Sequence, residues 1–359
     1  MTASSTDANI PRIVLGTMSF GLEDTPAEGT VVRVRGAEKV GPFLETFHSF
    51  GHVEIDTARI YGNGDTEMVL SQLPTAHLKI STKVFPAHPG AFNMEHLGKQ
   101  FQGALEALKA TKVDILYLHA PEPDTPIEVT LQAINTLYQD GLFDRFGLSN
   151  YPSWNVALIY ELCKEKGYVL PTVYQGMYNP IARGVVPELL PCLRYYNIGF
   201  YAFNTAGGGL LTGNYKFEQE DITEGSRYDP HLSSGKRFRE RYWHKLNFEG
   251  VEILKKAAEA NGMTVLEASM RWMRHHSGLE AKDGIILGAS NQKHLEQTLK
   301  DLEKGPLSQP MIDAFEEAWE CVKPVASNFF RYPGEKRPNW NSNNNNDNKD
   351  ADKDVTKKD

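Results

Sequence analysis

The chain is limited most by an alternation that recurs along nearly its whole length. Short runs rich in Val, Ile, Leu, Phe and Tyr are each followed by apolar residues at helical spacing. The first run, 10–21, contains Gly16 and Gly21, where the backbone must turn or approach something closely, and it precedes Val40, Phe43, Leu44, Phe47 and Phe50, a pattern that Gly51 ends. Runs at 53–56, 79–85 and 113–119 precede helical patterns at 64–73, 93–111 and 126–140. Runs at 143–150 and 171–176 precede patterns at 153–166 and near 185–195, and the last two runs are 198–204 and 283–290. A long segment, 205–282, separates those two and carries helical patterns near 247–261 and 264–276. Continuous apolar runs mark strands covered on both faces, which means a parallel sheet with helices on each side. Eight such units favour an α/β fold of the (β/α)8 TIM barrel type, with a long insertion between the seventh and eighth strands. No GxGxxG follows a strand, which argues against a Rossmann domain.

Composition agrees with this and narrows the partners. A chain of 359 residues could hold two ordinary domains or one barrel, since a barrel commonly needs about 250 residues plus insertions. With 40% hydrophobic and 23% charged residues, disorder throughout is excluded. The expected division is a flexible leader at 1–9, one barrel domain at 10–333, and a disordered polar tail at 334–359, where the sequence is Asn, Lys and Asp with almost nothing to bury. A net charge of -8 offers no general basic face for nucleic acid or an acidic membrane, so a small ligand is expected. Cys163, Cys192 and Cys321 are far apart and lack metal-ligand spacing, which predicts no metal site and a reduced compartment. The N-terminus lacks a signal-peptide pattern and no apolar run is long enough to span a membrane, so the expected location is cytoplasmic.

Three consecutive runs carry an ionisable residue at or near their ends: Asp56, Lys83 and His119, with Tyr61 five residues after the first. Singly, each has a plain explanation: a helix cap, a solvated strand end, a turn histidine. In a barrel, however, the C-terminal strand ends share one face, where catalytic groups sit. Tyrosine is a weak acid with a reference pKa of about 10, and a neighbouring ammonium would bring its phenolate closer to use. Lys83 could supply that charge, with Asp56 holding it. A nearby histidine could orient a substrate carbonyl, which suits addition of hydride and proton across C=O. The hydride itself requires a cofactor.

The segments IDTARIYG, STKVF, LYLHAP, GLSNY, VYQGMYNP and FYAFNTAGGGLLTG occur in order with matching spacing, and by them the chain resembles the aldo-keto reductase superfamily over about residues 10–331. The resemblance implies a barrel that reduces carbonyls with NADPH through the tetrad Asp56, Tyr61, Lys83 and His119, with Tyr61 as proton donor. IPRIVLGTMSFG, GGGLLTG, RFRERYW and NFFR further resemble the aflatoxin-aldehyde and succinic-semialdehyde reductase branch. That branch implies Ser149, Asn150 and Gln175 at the nicotinamide amide, and Phe203 at the ring-stacking position, where the family usually has tyrosine. It also implies Asn204, the glycine loop with Leu211 and Gly213, and Arg227 at the phosphates. Gly288, Ser290 and His294 fall in the last cofactor element, where Thr298 departs from the usual asparagine. On the substrate side stand Met18, Phe238, Arg241 and Arg331; the two arginines match positions that hold a carboxylate, while Phe238 replaces the branch's tyrosine. Trp243, Trp272 and Trp319 lie at helical spacings and are expected in the core. The implied activity is reduction of aldehydes, including carboxylate-bearing or dialdehyde substrates, by a protein whose assembly to test is a homodimer. Two rivals remain. Potassium-channel β subunits share the barrel, cofactor and tetrad as an NADPH-binding redox-sensing module, and a barrel isomerase would use Lys83 as a Schiff base.

Overall fold

A computed structural model of the chain describes residues 10–26, 30–223 and 225–331. The leader at 1–9 and the tail at 334–359 fall outside these residues. Eight parallel strands close into a barrel: β1 (Arg12–Gly16), β4 (Glu54–Asp56), β5 (Lys79–Val84), β6 (Val113–Leu118), β7 (Phe143–Ser149), β8 (Pro171–Met177), β9 (Gly199–Phe203) and β10 (Gly284–Leu287). The barrel closes where β10 pairs with β1, Arg12 opposite Gly284 and Leu15 opposite Leu287. The expected (β/α)8 architecture is therefore present. Helices cover the outside: α1 (Ala37–Ser49), α2 (Asp65–Leu70), α3 (Met94–Leu108), α4 (Ile127–Gln139), α5 (Ser153–Lys166) and α6 (Leu189–Tyr195). Their buried residues, such as Leu97, Phe101, Ala104, Leu105 and Leu108 of α3, repeat every three to four positions and form one apolar stripe against the sheet.

The strand expected at 10–21 is corrected. β1 stops at Gly16, and after a turn the chain forms β2 (Phe20–Gly21), which pairs with β3 (Val34–Arg35) in a separate two-stranded sheet. Gly16, the last residue of β1, has no room for a side chain, since Ile286 Cγ2 lies 2.9 Å and Leu287 O 3.2 Å from where one would start. The long segment after β9 holds a short 3-10 turn, Gly207–Thr212, then α7 (Ser233–Tyr242), α8 (Lys245–Ala260) and α9 (Val265–His275). Two further helices, α10 (Gln292–Leu302) and α11 (Gln309–Val322), follow β10, and α11 packs on α8. Trp272 is in the core, whereas Trp243 and Trp319 are only partly buried. Among the described residues no helix is long and apolar enough to cross a membrane.

Inside the barrel, side chains alternate with period two. Val14, Ile115, Tyr117, Val173, Tyr201 and Ile286 form an inner apolar layer. Lys83 pairs in register with Tyr117 and so shares its inward direction, and Ser81, opposite both Asp56 and Ile115, carries that direction to Asp56. Close packing here demands glycine at 147, since an added Cβ would stand 2.2 Å from the Tyr117 ring. The N-terminal end is plugged by charge: Arg145 reaches Asp114, Glu54 and Tyr201, and the Tyr201 hydroxyl donates to Glu54 at 2.7 Å.

Candidate active site

At the opposite, C-terminal mouth, Asp56, Lys83 and His119 come from three neighbouring strands, and Tyr61 joins them from the turn Tyr61–Gly64. That turn needs left-handed backbone at Gly62, Asn63 and Gly64, which glycine and asparagine adopt most readily. Its underside is supported by Val32, whose Cγ2 lies 3.3 Å from where a Gly62 side chain would begin. Lys83 is fully buried and its ammonium donates to Asp56 Oδ2 at 2.6 Å, to Thr57 O at 2.7 Å and to the Tyr61 hydroxyl at 3.4 Å. It also lies 4.9 Å from the centre of the Tyr61 ring and 5.7 Å from that of Tyr117. Gln175 donates to the other Asp56 oxygen at 2.7 Å, so both carboxylate oxygens are engaged. The His119 ring stands edge-on to Tyr61 at 5.9 Å, and its Nδ1 is buried without a hydrogen-bond partner.

The electrostatics correct one expectation. Lys83 was expected to bring the Tyr61 phenolate within reach, yet burial raises the Tyr61 pKa above its ordinary value and outweighs the lowering by Lys83. The phenol is thus held protonated at neutral pH, which is the form a proton donor requires. Burial alone would lower the Lys83 pKa, but Asp56 and then Tyr61 overcome it and the pKa is raised. A Schiff-base lysine needs the opposite, a neutral amine. His119 is pushed well below the usual histidine range by burial, with Lys83 and Arg331 adding to it. The unfolded chain therefore binds a proton that the folded chain refuses. The stability due to this group is complete above the ordinary histidine pKa of about 6.5 and declines as pH drops below it. We expect His119→Gln to flatten the acid side of the stability profile, measured as urea midpoints between about pH 5 and 8. An unchanged slope would show that His119 is not held neutral.

The residues assigned to a dinucleotide lie around this mouth, though not all by their side chains. Asn150 and Asn204 both adopt left-handed backbone at strand ends. Asn150 donates to His119 O and to Ser149 Oγ, both at 2.9 Å. Asn204 donates to the Tyr242 hydroxyl at 2.7 Å while its Oδ1 is buried without a partner. An orphaned amide oxygen beside the glycine loop fits a ligand that brings a donor, as a dinucleotide would. Phe203 is partly exposed at the end of β9, packed on the inner apolar layer, and offers a flat face for a ring. Gly207, Gly208 and Gly209 all have left-handed backbone, and the N–H groups of Gly207 and Gly209 close turns on Asn204 O and Ala206 O, both at 2.9 Å. The Leu211 side chain, by contrast, is buried in the core, and a side chain at Gly213 would begin 3.4 Å from Val265 Cγ2. Gly288, Ser290 and His294 are exposed beyond β10, with Ser290 Oγ 3.1 Å from His294 Nδ1.

On the substrate side, the backbone N–H of Arg331 donates to Asn150 O at 3.0 Å, which ties it to a residue assigned to the nicotinamide. Arg241 is half-buried on α7, and Met18 lies in the turn after β1. Phe238 sits nearer the cofactor loop than expected: an added Cβ on Gly208 would be 2.7 Å from its ring, and the Arg227 guanidinium lies 5.4 Å over it. Burial, then Arg331 and Arg241, lower the pKa of Arg237 to about 10, which marks the rim as cationic. Sequence reasoning missed Tyr117, Tyr242 and Arg33, which hold or flank the assigned residues. Only the helical spacing Phe238, Tyr242 could have hinted at the second.

The family model described as "Aldo/keto reductase family" matches residues 12–320. Human aldo-keto reductase family 7 member A3 is 41% identical over 334 residues, covering 89% of this chain and 97% of the relative. Human aflatoxin B1 aldehyde reductase member 2 is 41% identical over 336 residues, covering 89% and 90%. The Monascus ruber aldo-keto reductase pigE is 34% identical over 335 residues, covering 89% and 96%. With the closed barrel and the strand-end residues already in place, these matches show that the chain belongs to the aldo/keto reductase family of oxidoreductases.

Proposed function

We propose that the chain reduces aldehydes to primary alcohols with NADPH, with Tyr61 as the proton donor. The observation that carries this reading is the Tyr61 hydroxyl held 3.4 Å from a buried ammonium that is itself locked on Asp56. A nicotinamide bound at this mouth would supply the hydride, and Ser149, Asn150, Gln175, Phe203 and Asn204 are the residues to hold it. The carbonyl oxygen gains charge as it is reduced, and the alkoxide it becomes is a far stronger base than a phenolate. Tyr61 transfers its proton to that oxygen, and Lys83 stabilises the phenolate left behind. Neutral His119 aligns the same oxygen by a hydrogen bond from a ring nitrogen, without adding a second competing positive charge beside Lys83. Arg241 and Arg331 favour aldehydes that also carry a carboxylate, which a guanidinium grips through two parallel hydrogen bonds. The names of two human relatives, which specify aflatoxin B1 aldehyde, support an aldehyde as substrate.

Steady-state kinetics with nitrobenzaldehyde and succinic semialdehyde, using NADPH and NADH in parallel, tests this. We expect turnover at ordinary enzyme rates with NADPH and a lower KM for the carboxylate-bearing aldehyde. No consumption of either dinucleotide would overturn the reading. Very slow turnover with a tightly retained nucleotide would favour a redox-sensing module instead.

A further inference from the structure

The small sheet of β2 and β3 brings an arginine to the mouth that none of the assigned roles uses. Ser19 O accepts the backbone N–H groups of Arg33 at 2.7 Å and Val34 at 3.0 Å, while Ser19 Oγ donates to Ala289 O at 3.1 Å, just beyond β10. These bonds fix Arg33 beside the strand end that leads to Ser290 and His294. Its side chain then reaches the long segment after β9, where Nη1 lies 2.8 Å from the place a Gly225 side chain would begin. Gly225 opens the turn that carries Arg227. Asp229 fixes that turn by accepting the N–H groups of Gly225 at 2.6 Å and His231 at 2.9 Å. Arg227 extends the other way, its Nη2 3.6 Å from where a Gly288 side chain would begin.

Two half-buried guanidinia thus flank the place where the β1 to α1 connection faces the β9 to β10 segment, Arg33 beside Gly225 and Arg227 beside Gly288. Each is held below its ordinary pKa, chiefly by burial; Arg33 further lowers Arg227, and Arg35 further lowers Arg33. Asp229 and Tyr215 oppose this at Arg33, but the Asp229 carboxylate is already engaged by two backbone donors. Like charges kept together in a partly dry place are unfavourable until an anion comes between them. The guanidinium fork matches phosphate oxygens in pairs, and Arg227 already flanks the glycine loop through Phe238.

We propose that Arg33 and Arg227 form a two-arginine phosphate clamp that joins the β2–β3 segment to the β9–β10 segment around a phosphate of the bound dinucleotide. This rests on the reading that the mouth holds NADPH or NADH. The clamp explains why the β1 to α1 connection is longer than a barrel requires: its extra sheet is the platform that aims Arg33 across the mouth.

The test is equilibrium binding of NADPH and of NADH to the full chain, followed by fluorescence, with no substrate present. Arg33→Gln should weaken binding by roughly tenfold or more. Arg33→Met, which keeps the apolar stem, should reproduce the loss. Arg33→Lys should recover part of it, because charge returns without the fork. A loss confined to NADPH places the clamp on the ribose phosphate, and an equal loss for both places it on the pyrophosphate; either supports the proposal. Unchanged Kd values for both dinucleotides in Arg33→Gln would overturn it, as would a loss that Arg33→Lys does not relieve at all. Thermal melts of the ligand-free variants accompany the titrations, so that a folding defect is seen directly. A wild-type chain that bound neither dinucleotide would instead overturn the underlying reading.

Discussion

Tyr61→Phe should lower turnover by about 10^2 to 10^4-fold while leaving dinucleotide binding and the fold nearly unchanged. The expected split follows from what the hydroxyl touches. Its contact with Lys83 is long, at 3.4 Å, whereas Lys83 keeps two shorter bonds to Asp56 Oδ2 and Thr57 O when the hydroxyl is gone. Loss of one such bond costs roughly 1 kcal/mol, and the ring itself remains packed against His119. The chemistry has no such reserve. Burial leaves Tyr61 protonated at neutral pH, with Lys83 beside it to receive the phenolate. His119, held neutral, could replace it only by giving up a proton far less readily than an imidazolium would. The wild-type rate should therefore show no alkaline fall until above the ordinary tyrosine pKa of about 10. Turnover retained in Tyr61→Phe, with binding intact, would remove Tyr61 from the proton-donor role.

The sequence discloses the barrel because its strands are buried on both faces and so appear as unbroken apolar runs, each separated by a helix-period stretch. It discloses Asp56, Lys83 and His119 because each lies at or near the end of such a run, and runs that end on one face put their last residues together. What stays hidden has a physical cause in each case. β2 and β3 are two residues long, too short to show any period, so the chain from Ile10 to Gly21 looks like one strand. The bond from Gln175 to Asp56 spans the barrel and has no local signature, and neither does the placement of Arg33 against Gly225. The direction of the Tyr61 pKa depends on weighing burial against a neighbouring charge, and spacing reveals the charge but not the burial. The place of Leu211 in the glycine loop can be read from the motif, but the burial of its side chain in the core cannot, because its packing partners lie far away in the chain.

Lys83→Met should be the most damaging single change, and it should damage stability and catalysis by separable routes. Asp56 is almost fully buried, and in the wild type its charge faces the Lys83 ammonium at 2.6 Å. Without that partner it keeps only the neutral amide of Gln175. Removing one member of a buried pair costs about 3 to 5 kcal/mol, because the other charge is left uncompensated. The urea midpoint should fall accordingly. In the double variant Asp56→Asn with Lys83→Met no charge is left buried, so it should recover much of the lost stability and be far less destabilised than the sum of the single changes. Turnover should not return with it, since neither variant offers a cation to the Tyr61 phenolate. A Lys83→Met protein as stable as the wild type would mean that Asp56 and Lys83 are not an ion pair. A double variant with recovered activity would mean that the pair serves the fold alone.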